Sequence, residues 1–286
     1  MGAIHIALTF DDNFWAPAYA TMRSVCLFTR RRKELVFHLL HRTLTAEHVA
    51  DLKQIETEFG ARLVFYDLDQ NPSFTEIAAR MPANSRWPAI VYGRLLIDQL
   101  LPADVARVLY LDCDIMLQDD VAQIHDIDLQ GHPIAAVRDT LGAFIAGGKD
   151  LRAKADTFDI ADPYFNSGVI VIDVEAWRQA RILTQMDALL AQGIMARLYY
   201  DQDLLNLVFR NTWLPLPARW NTIEARRAHE PTDPAILHYT SKQKPWFLFG
   251  NVAQKRLYRH VMTNKVFYDF MRHRWRRTLL KRLGLL

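Results

Sequence analysis

The stretch Arg107–Val121, RVLYLDCDIMLQDDV, decides how the rest of the chain is interpreted. Val108–Leu111 is an unbroken apolar run, which predicts a short strand covered on both faces. It ends at Asp112-Cys113-Asp114, where two carboxylates buried without partners would be strongly destabilising. A divalent cation would compensate both, because such ions prefer oxygen ligands and are often bound to phosphate. Since ligands of α/β sheets bind outside the carboxyl ends of the strands, the stretch predicts a metal–phosphate site.

Two other interpretations of Asp112 and Asp114 stay open on this stretch alone. The pair could form a solvated loop or cap, although the apolar residues on both sides argue against it. It could also be the Asp-x-Asp signature of a HAD-type phosphohydrolase, in which an aspartate accepts the phosphoryl group. That signature normally opens the chain and has Thr or Val where Met116 stands, so the fit is poorer.

The first third of the sequence alternates apolar strands with helices. The predicted strands are Ile4–Leu8, Val36–Leu40 and Arg62–Tyr66, and the predicted helices are Pro17–Phe28 and a segment from Thr45 to Phe59. Thr45 is a typical N-cap, and Gly60 would end the second helix. The order strand–helix–strand–helix–strand indicates a largely parallel, Rossmann-like sheet.

The remainder of the chain is less regular. We expect loops at Asp67–Pro88 and Gly142–Asp150, helices at Ile90–Leu101, Asp173–Gln192 and Asp201–Phe209, and strands at Pro133–Val137, Val169–Ile172 and Ile236–Tyr239. Asn166-Ser167-Gly168 has the composition of a tight turn ahead of a strand. Asp201 could serve simply as the N-cap of its helix.

Composition limits the class of protein. Half of the 286 residues are hydrophobic, which supplies a large core and favours one domain plus an appendage. The two cysteines, Cys26 and Cys113, are far apart and form no disulfide framework, so a reducing cytoplasm fits. No apolar run has the length of a membrane span, and the first residues lack the basic region of a signal peptide.

Positive charge is concentrated at the C-terminal end. Phe267–Leu286 carries six basic residues and one acidic residue, whereas the rest of the chain is close to neutral, which argues against a general nucleic-acid binder. Phe267, Met271, Trp275 and Leu279 recur at intervals of four residues between the charges. The segment predicts a basic amphipathic helix that binds an anionic membrane surface. The alternative is a helix packed on the body with solvated charges.

Several short motifs, taken together and in this order, resemble the family 8 glycosyltransferases, which are retaining enzymes with the GT-A fold. The motifs are Asp11-Asp12-Asn13, Tyr92-Gly93-Arg94, Leu109-Tyr110-Leu111-Asp112-Cys113-Asp114, Tyr164-Phe165-Asn166-Ser167-Gly168-Val169, Asp201-Gln202-Asp203-Leu204-Leu205-Asn206, and His238-Tyr239 with Lys244-Pro245-Trp246. The bacterial transferases that build lipopolysaccharide are the most similar branch. The resemblance implies an α/β fold of GT-A type: a Rossmann-like mixed, mainly parallel sheet flanked by helices, here followed by the C-terminal basic amphipathic helix.

The resemblance also implies a metal and donor site. Asp112, Asp114 and His238 would bind Mn²⁺, with Mg²⁺ possible, and the diphosphate of a UDP-sugar would complete the coordination. The cofactor-binding residues would be Thr9, Asp11, Asn13, Arg94, Asp112, Cys113, Asn166, Ser167 and Lys244. Asp11 and Asn13 would hydrogen-bond to uracil and ribose, and Lys244 would hold the diphosphate. The donor sugar's hydroxyls would be held by Arg94, Asn166 and Asp201, while Cys113 would act through its backbone.

Catalysis would rest on Asp201 and Gln202. Gln202 would lie beneath the anomeric carbon, but its uncharged amide is a poor nucleophile, and Asp201 would have to swing to reach that carbon. We therefore favour attack from the front face, with a leaving phosphate oxygen taking the acceptor's proton. Asp139 would lie near the acceptor.

The implied function is transfer of galactose or glucose from UDP-galactose or UDP-glucose to lipopolysaccharide or another cell-surface saccharide, with retention. The transferase domain would cover residues 1–250 and the basic helical segment 251–286. The protein would be cytoplasmic, attached peripherally to the inner face of the membrane through that segment, and would bind no nucleic acid. Besides the phosphohydrolase, a nucleotide-sugar-binding protein without activity is an alternative.

Overall fold

The computed structural model describes residues 2–83, 88–139, 157 and 163–285, and all statements below concern these residues. The loop predicted at Gly142–Asp150 lies outside them. The strands are β1 (Ile4–Asp11), β2 (Leu35–Arg42), β3 (Arg62–Asp67), β4 (Arg107–Leu111), β5 (Ile115–Leu117), β6 (Ile134–Arg138), β7 (Phe165–Asp173), β8 (Leu214–Leu216), β9 (Thr222–Ile223) and β10 (Ile236–His238). The α-helices are α1 (Trp15–Phe28), α2 (Ala46–Phe59), α3 (Pro72–Arg80), α4 (Ile97–Leu100), α5 (Ala122–His125), α6 (Val174–Gln179), α7 (Ile182–Ala191), α8 (Tyr200–Val208), α9 (Lys255–Val261) and α10 (Asn264–Arg282).

The central sheet is mainly parallel, as predicted. Within the described residues its order is β3-β2-β1-β4-β7-β6-β8. The pairs β1–β2, β2–β3, β1–β4 and β6–β8 are parallel, whereas β7 runs antiparallel to both β4 and β6. A small sheet, β5-β10-β9, lies after the carboxyl end of β4 and brings a distant part of the chain to that edge.

Both faces of the central sheet are buried, which explains the unbroken apolar strands. In β4, Leu109 and Leu111 join the core on one face, whereas Val108 and Tyr110 join the core on the other. A strand whose two faces are covered needs apolar side chains at successive positions rather than at alternate ones. The caps of α2 are as predicted: the Thr45 side chain accepts a hydrogen bond from the His48 N–H, and Gly60 has φ +70°.

Two expectations before β4 were wrong. Asp67–Pro88 contains the helix α3, because the Asn71 side chain caps the Phe74 N–H and Pro72 occupies a first-turn position that needs no N–H donor. The segment Ile90–Leu101 is a 3-10 helix over Ala89–Leu96, followed by the single turn α4.

Three expectations after β4 were also wrong. Asn166-Ser167-Gly168 lies inside β7, the strand between β4 and β6, and forms no turn ahead of a strand. The helix predicted over Asp173–Gln192 is two helices, α6 and α7, broken at Arg181, which has φ 47°. The N-cap of α8 is Tyr199, so Asp201 is inside the helix and is not its cap.

The C-terminal helix α10 has two different halves. Val266 and Phe270 are fully buried, and the Phe270 ring meets Trp15 and Trp246 edge-on at centroid distances of 6.2 and 6.0 Å. In the outer half, Trp275 is 72 % exposed and Leu279 is 57 % exposed. Among the described residues, no helix combines the length and the apolar composition needed to cross a membrane. The domain boundary at residue 250 stays a prediction, since Val252–Phe270 contributes to the main core.

Candidate active site

The carboxyl end of β4 collects the three predicted metal ligands. Asp112 and Asp114 follow β4 directly, and β10 places His238 opposite Ile115 in antiparallel register. His238 Nε2 lies 3.2 Å from Asp114 Oδ1 and 3.6 Å from Asp112 Oδ2, and the potential ligand atoms all lie within 4.8 Å of one another. Two carboxylates and an imidazole at such separations suit one divalent cation.

Each carboxylate turns one oxygen towards His238 because a cationic side chain holds the other. Arg94 Nη2 donates to Asp112 Oδ1 at 3.0 Å, and Lys244 Nζ donates to Asp114 Oδ2 at 2.6 Å. Burial alone would raise the pKa of Asp114, but the ammonium of Lys244 holds this pKa below its ordinary value. Both carboxylates therefore keep an oxygen ready to coordinate a cation, and Lys244 stands beside the cluster, where a diphosphate bound to that cation would lie.

A chain of hydrogen bonds fixes the tautomer of His238. The Gly168 N–H donates to Asn166 Oδ1 at 3.0 Å, so Asn221 must offer its Nδ2 to the same oxygen, at 2.8 Å. The Asn221 oxygen then faces His238 Nδ1 at 2.9 Å, and that nitrogen must carry the proton. His238 Nε2 is thereby left with its lone pair directed at Asp112 and Asp114, as a metal ligand requires.

The position of Gly168 shows that the cluster has no room for a larger residue there. A Cβ at this position would lie 2.2 Å from His238 Cε1 and 2.7 Å from Asp112 Oδ2. The Gly168 carbonyl also accepts the Asp112 N–H at 2.8 Å. The glycine therefore lets β7 approach the ligand set closely, and the residues present fit a bound divalent cation.

Arg94 joins the cluster to the predicted catalytic pair. Its Nε lies 2.9 Å from Asp201 Oδ2, its Nη1 donates to the Ser167 carbonyl at 2.6 Å, and its guanidinium lies 4.2 Å above the Tyr110 ring. Burial raises the pKa of Asp201 to about 6, although Arg94 opposes the shift. The preceding Gly93 permits this placement, since a Cβ there would lie 2.8 Å from Thr9 Cγ2.

Gln202 is held by hydrogen bonds at both ends of its amide. Its Oε1 accepts from the Ser167 N–H at 3.0 Å and from Asn166 Nδ2 at 3.3 Å. Its Nε2 donates to Asp139 Oδ2 and to the Tyr164 hydroxyl, both at 3.1 Å. The structure thus brings Asp139, predicted near the acceptor, into the same buried network as Gln202.

The remaining predicted donor residues lie at the end of β1. Asp11 accepts from the Asn13 backbone and side-chain nitrogens, both at 2.9 Å. The Thr9 hydroxyl is buried without a hydrogen-bond partner in the described part of the chain. The Cys113 thiol is buried against the Thr9 carbonyl, which leaves only its backbone for a ligand.

Sequence reasoning missed two residues of this site. Asn221 orients His238, and the Tyr110 hydroxyl donates to Asp112 Oδ1 at 3.0 Å. Tyr110 could have been found from the sequence, because it stands two residues before Asp112 near the carboxyl end of a buried strand. Asn221 lies in an irregular segment after Trp220, and nothing in its local sequence indicates that it contacts a residue 17 positions later.

The sequence is similar to those of known proteins. The model of the family described as glycosyl transferase family 8 matches residues 5–248. General stress protein A of Bacillus subtilis is 24 % identical over 261 residues, which cover 85 % of this chain and 87 % of that protein. A lipopolysaccharide 1,2-glucosyltransferase of Escherichia coli is 26 % identical over 275 residues, which cover 90 % of this chain and 77 % of that protein.

The fold has solved counterparts. The galactosyltransferase LgtC, in complex with donor and acceptor sugar analogues, superposes with a TM-score of 0.73 at 24 % identity, covering 90 % of this chain and 95 % of that one. This likeness confirms the GT-A type of fold. The family model spans most of the sequence, and the chain therefore belongs to glycosyltransferase family 8 and is a glycosyltransferase.

Proposed function

We propose that the protein transfers a hexose from a UDP-sugar to a hydroxyl of a saccharide acceptor, with Mn²⁺ bound by Asp112, Asp114 and His238 and with the anomeric configuration retained. The observation that carries the proposal is the ligand cluster at the end of β4, with Lys244 on one side and the Arg94–Asp201 pair on the other. A cation site next to a lysine suits a sugar diphosphate, and the buried polar network beyond Arg94 suits the sugar. The HAD-type alternative is not retained, because the chain belongs to a different family.

The donor diphosphate would be held mainly by charge. Oxygen ligands with one imidazole suit Mn²⁺, and Mg²⁺ is a weaker alternative. The bound ion would supply a positive charge for the departing diphosphate. Lys244 already points at Asp114, 2.6 Å away, so a small movement of its ammonium towards the phosphate oxygens would add a second positive charge.

The nucleoside would lie against the end of β1. The unpartnered Thr9 hydroxyl and the Asp11 carboxylate offer hydrogen-bonding groups at this edge. The Cys113 thiol contacts the Thr9 carbonyl and so joins this edge to the segment that carries the metal ligands. Asn13 would exchange its hydrogen bond to Asp11 for bonds to uracil or ribose.

The sugar would meet Arg94, Asn166, Ser167, Asp201 and Gln202. The contacts of Gln202 support attack from the front face: both ends of its amide are engaged, and an amide oxygen used in this way is a weak nucleophile. Asp201 is paired with Arg94, so its charge would stabilise positive charge on the sugar without forming a bond to it. The bond between the anomeric carbon and the phosphate oxygen breaks, the bond to the acceptor oxygen forms on the same face, and the acceptor's proton passes to the departing phosphate.

We also propose UDP-galactose or UDP-glucose as donor and lipopolysaccharide or another cell-surface glycan as acceptor. The names of similar proteins support this choice, since one is a lipopolysaccharide glucosyltransferase and another a galactosyltransferase. The outer half of α10 would hold the enzyme on the anionic inner face of the membrane, close to a lipid-linked acceptor. Trp275 and Leu279 lie exposed one turn apart on this helix among basic residues, and Leu283 is exposed just after its end, which supports such contact.

A donor-hydrolysis panel tests the proposal. UDP-galactose, UDP-glucose and the corresponding N-acetylated sugars are incubated with the protein, with Mn²⁺ or with EDTA, and released UDP is measured. We expect release from at least one UDP-hexose with Mn²⁺ and none with EDTA. Binding of a UDP-sugar without any cleavage would favour the inactive alternative, failure to bind any UDP-sugar would refute the proposed donor, and equal rates in EDTA would refute the metal-dependent mechanism. Proton NMR of a transferred product would show an α linkage if the configuration is retained.

A further inference from the structure

A second cluster of metal-ligating side chains lies outside the site described above. Asp12 follows β1, His48 belongs to α2 and His273 belongs to α10, and their potential ligand atoms all lie within 4.8 Å of one another. Ligand atoms around a tetrahedral Zn²⁺ lie about 3.4 Å apart, given bonds of about 2.0–2.2 Å. Small side-chain rotations would therefore bring all three onto one ion. We propose that Asp12, His48 and His273 form a site for a transition-metal ion of the Zn²⁺ class.

Two of the three ligands are already held in place. Asp12 Oδ1 accepts from the Thr45 N–H at 3.0 Å and lies 2.6 Å from His48 Nδ1. The His48 ring is buried and stacks on Trp15 at a centroid distance of 4.2 Å and an angle of 16°. Ordered ligands lose little freedom when they coordinate an ion.

The third ligand, His273, shows that the cluster is more than a simple hydrogen bond between Asp12 and His48. His273 Nε2 is buried, and it has no hydrogen-bond partner among the described residues. Its ring meets His48 at a centroid distance of 5.2 Å and an angle of 72°, beside the carboxylate of Asp12. Buried polar atoms normally have a hydrogen-bond partner, and a bound ion would satisfy this nitrogen.

The donor set distinguishes this site from the one at the end of β4. Two imidazoles and one carboxylate favour borderline ions such as Zn²⁺ or Co²⁺, whereas two carboxylates and one imidazole suit Mn²⁺. An ion here would tie α10 to α2 and to the end of β1. It would thereby fix the direction of the outer half of α10 relative to Asp11 and Asn13, independently of sugar transfer.

The test uses tag-free, metal-free protein and Co²⁺ as a spectroscopic probe. The Asp114→Asn variant serves as the background, so that the first cluster contributes little. We expect a stoichiometric visible absorption band on addition of Co²⁺, and its loss on addition of Zn²⁺. In the same background, His273→Ala should weaken Co²⁺ binding roughly 100-fold or more. His260→Ala removes an exposed histidine one turn before α10 and should leave binding unchanged.

A second measurement guards against misfolding. His273→Gln is made alongside His273→Ala, and circular dichroism with Mn²⁺-dependent UDP binding in the Asp114-containing protein shows whether each variant is folded. Folded variants that bind Co²⁺ as tightly as the background protein would overturn the proposal. Absence of any Co²⁺ band in the Asp114→Asn background would overturn it as well, whatever the outcome of the donor-hydrolysis panel.

Discussion

The carboxyl edge of the sheet and the outer half of α10 both carry many charges, but they use them in opposite ways. At the edge, Arg94, Asp112, Asp114 and Lys244 are largely buried, and each has a partner of opposite charge within about 3 Å. On α10, basic side chains alternate with exposed apolar ones such as Trp275. Charges at the edge are few and fixed in geometry, whereas those on the helix are numerous and solvated.

This difference predicts how each region responds to substitution. Removing one partner of a buried pair leaves the other uncompensated, so a single change at the edge has a large effect. Exposed charges interact with a surface through the summed field, so their contributions are small, similar and weakened by salt.

The largest effect is expected for Asp114→Asn. The change removes a charge that both Lys244 and the proposed cation require, so turnover of a UDP-sugar should fall by about a thousandfold or more. Asp233→Asn is the matched control, because its side chain is 90 % exposed in a pair with Arg219. Steady-state rates are measured for both variants with saturating Mn²⁺. Equal rates would show that the buried charge of Asp114 matters no more for turnover than an exposed charge.

Gly168→Ala tests packing rather than charge. The added methyl would lie within 2.2 Å of His238 Cε1, so His238 must shift, and a displacement near 1 Å should reduce turnover about 100-fold. Gly2→Ala, where a Cβ meets no atom within 4 Å, is the control and should have no effect. Unchanged Mn²⁺ affinity in Gly168→Ala would show that His238 is not a ligand.

Asn221 offers a smaller and more specific change at the same edge. Asn221→Ala removes the acceptor that holds His238 Nδ1, and Mn²⁺ affinity should fall about tenfold or somewhat more. Asn221→Asp retains the oxygen acceptor for His238 but loses the donor to Asn166, so it should recover part of that affinity. Calorimetric titration with Mn²⁺ in the presence of UDP measures both. Equal losses in the two variants, at equal stability, would mean that Asn221 acts only in packing.

The smallest effect on turnover is expected on α10. Arg276→Gln with Arg277→Gln should leave the rate on a soluble acceptor unchanged, but should weaken partitioning onto anionic vesicles roughly 30-fold, at about 1 kcal/mol per basic residue. Arg226→Gln with Arg227→Gln removes the same charge from the body and should not alter partitioning. Vesicle co-sedimentation at low and high salt measures the partitioning. Equal sedimentation of the two double variants would refute membrane contact through this helix.

Patterns that depend on neighbouring residues were predictable. Local sequence predicts the apolar strands, the caps of α2 at Thr45 and Gly60, and the carboxylates after β4. The structure confirms the caps of α2 and the fold class. The polar composition of Asp67–Pro88 predicts a loop, but Asn71 and Pro72 are helix start signals, and the helix α3 begins there.

Features that depend on distant contacts could not be predicted locally. Local sequence predicts a turn at Gly168. A glycine is required at this position because His238, 70 residues later, packs against it. The position of His238 itself came only from resemblance to a family. The Asp12–His48–His273 cluster joins three elements, and the spacing of its members carries no recognisable motif.

The central claim is that Asp112, Asp114 and His238 hold a cation that binds the sugar diphosphate. Electron paramagnetic resonance of free Mn²⁺, recorded as metal-free protein is titrated with and without UDP, measures that binding directly. We expect stoichiometric uptake of Mn²⁺ that UDP strengthens in the wild type and in His273→Ala, and little uptake in Asp114→Asn. Uptake in Asp114→Asn equal to that of the wild type, or no effect of UDP on the wild type, would contradict it.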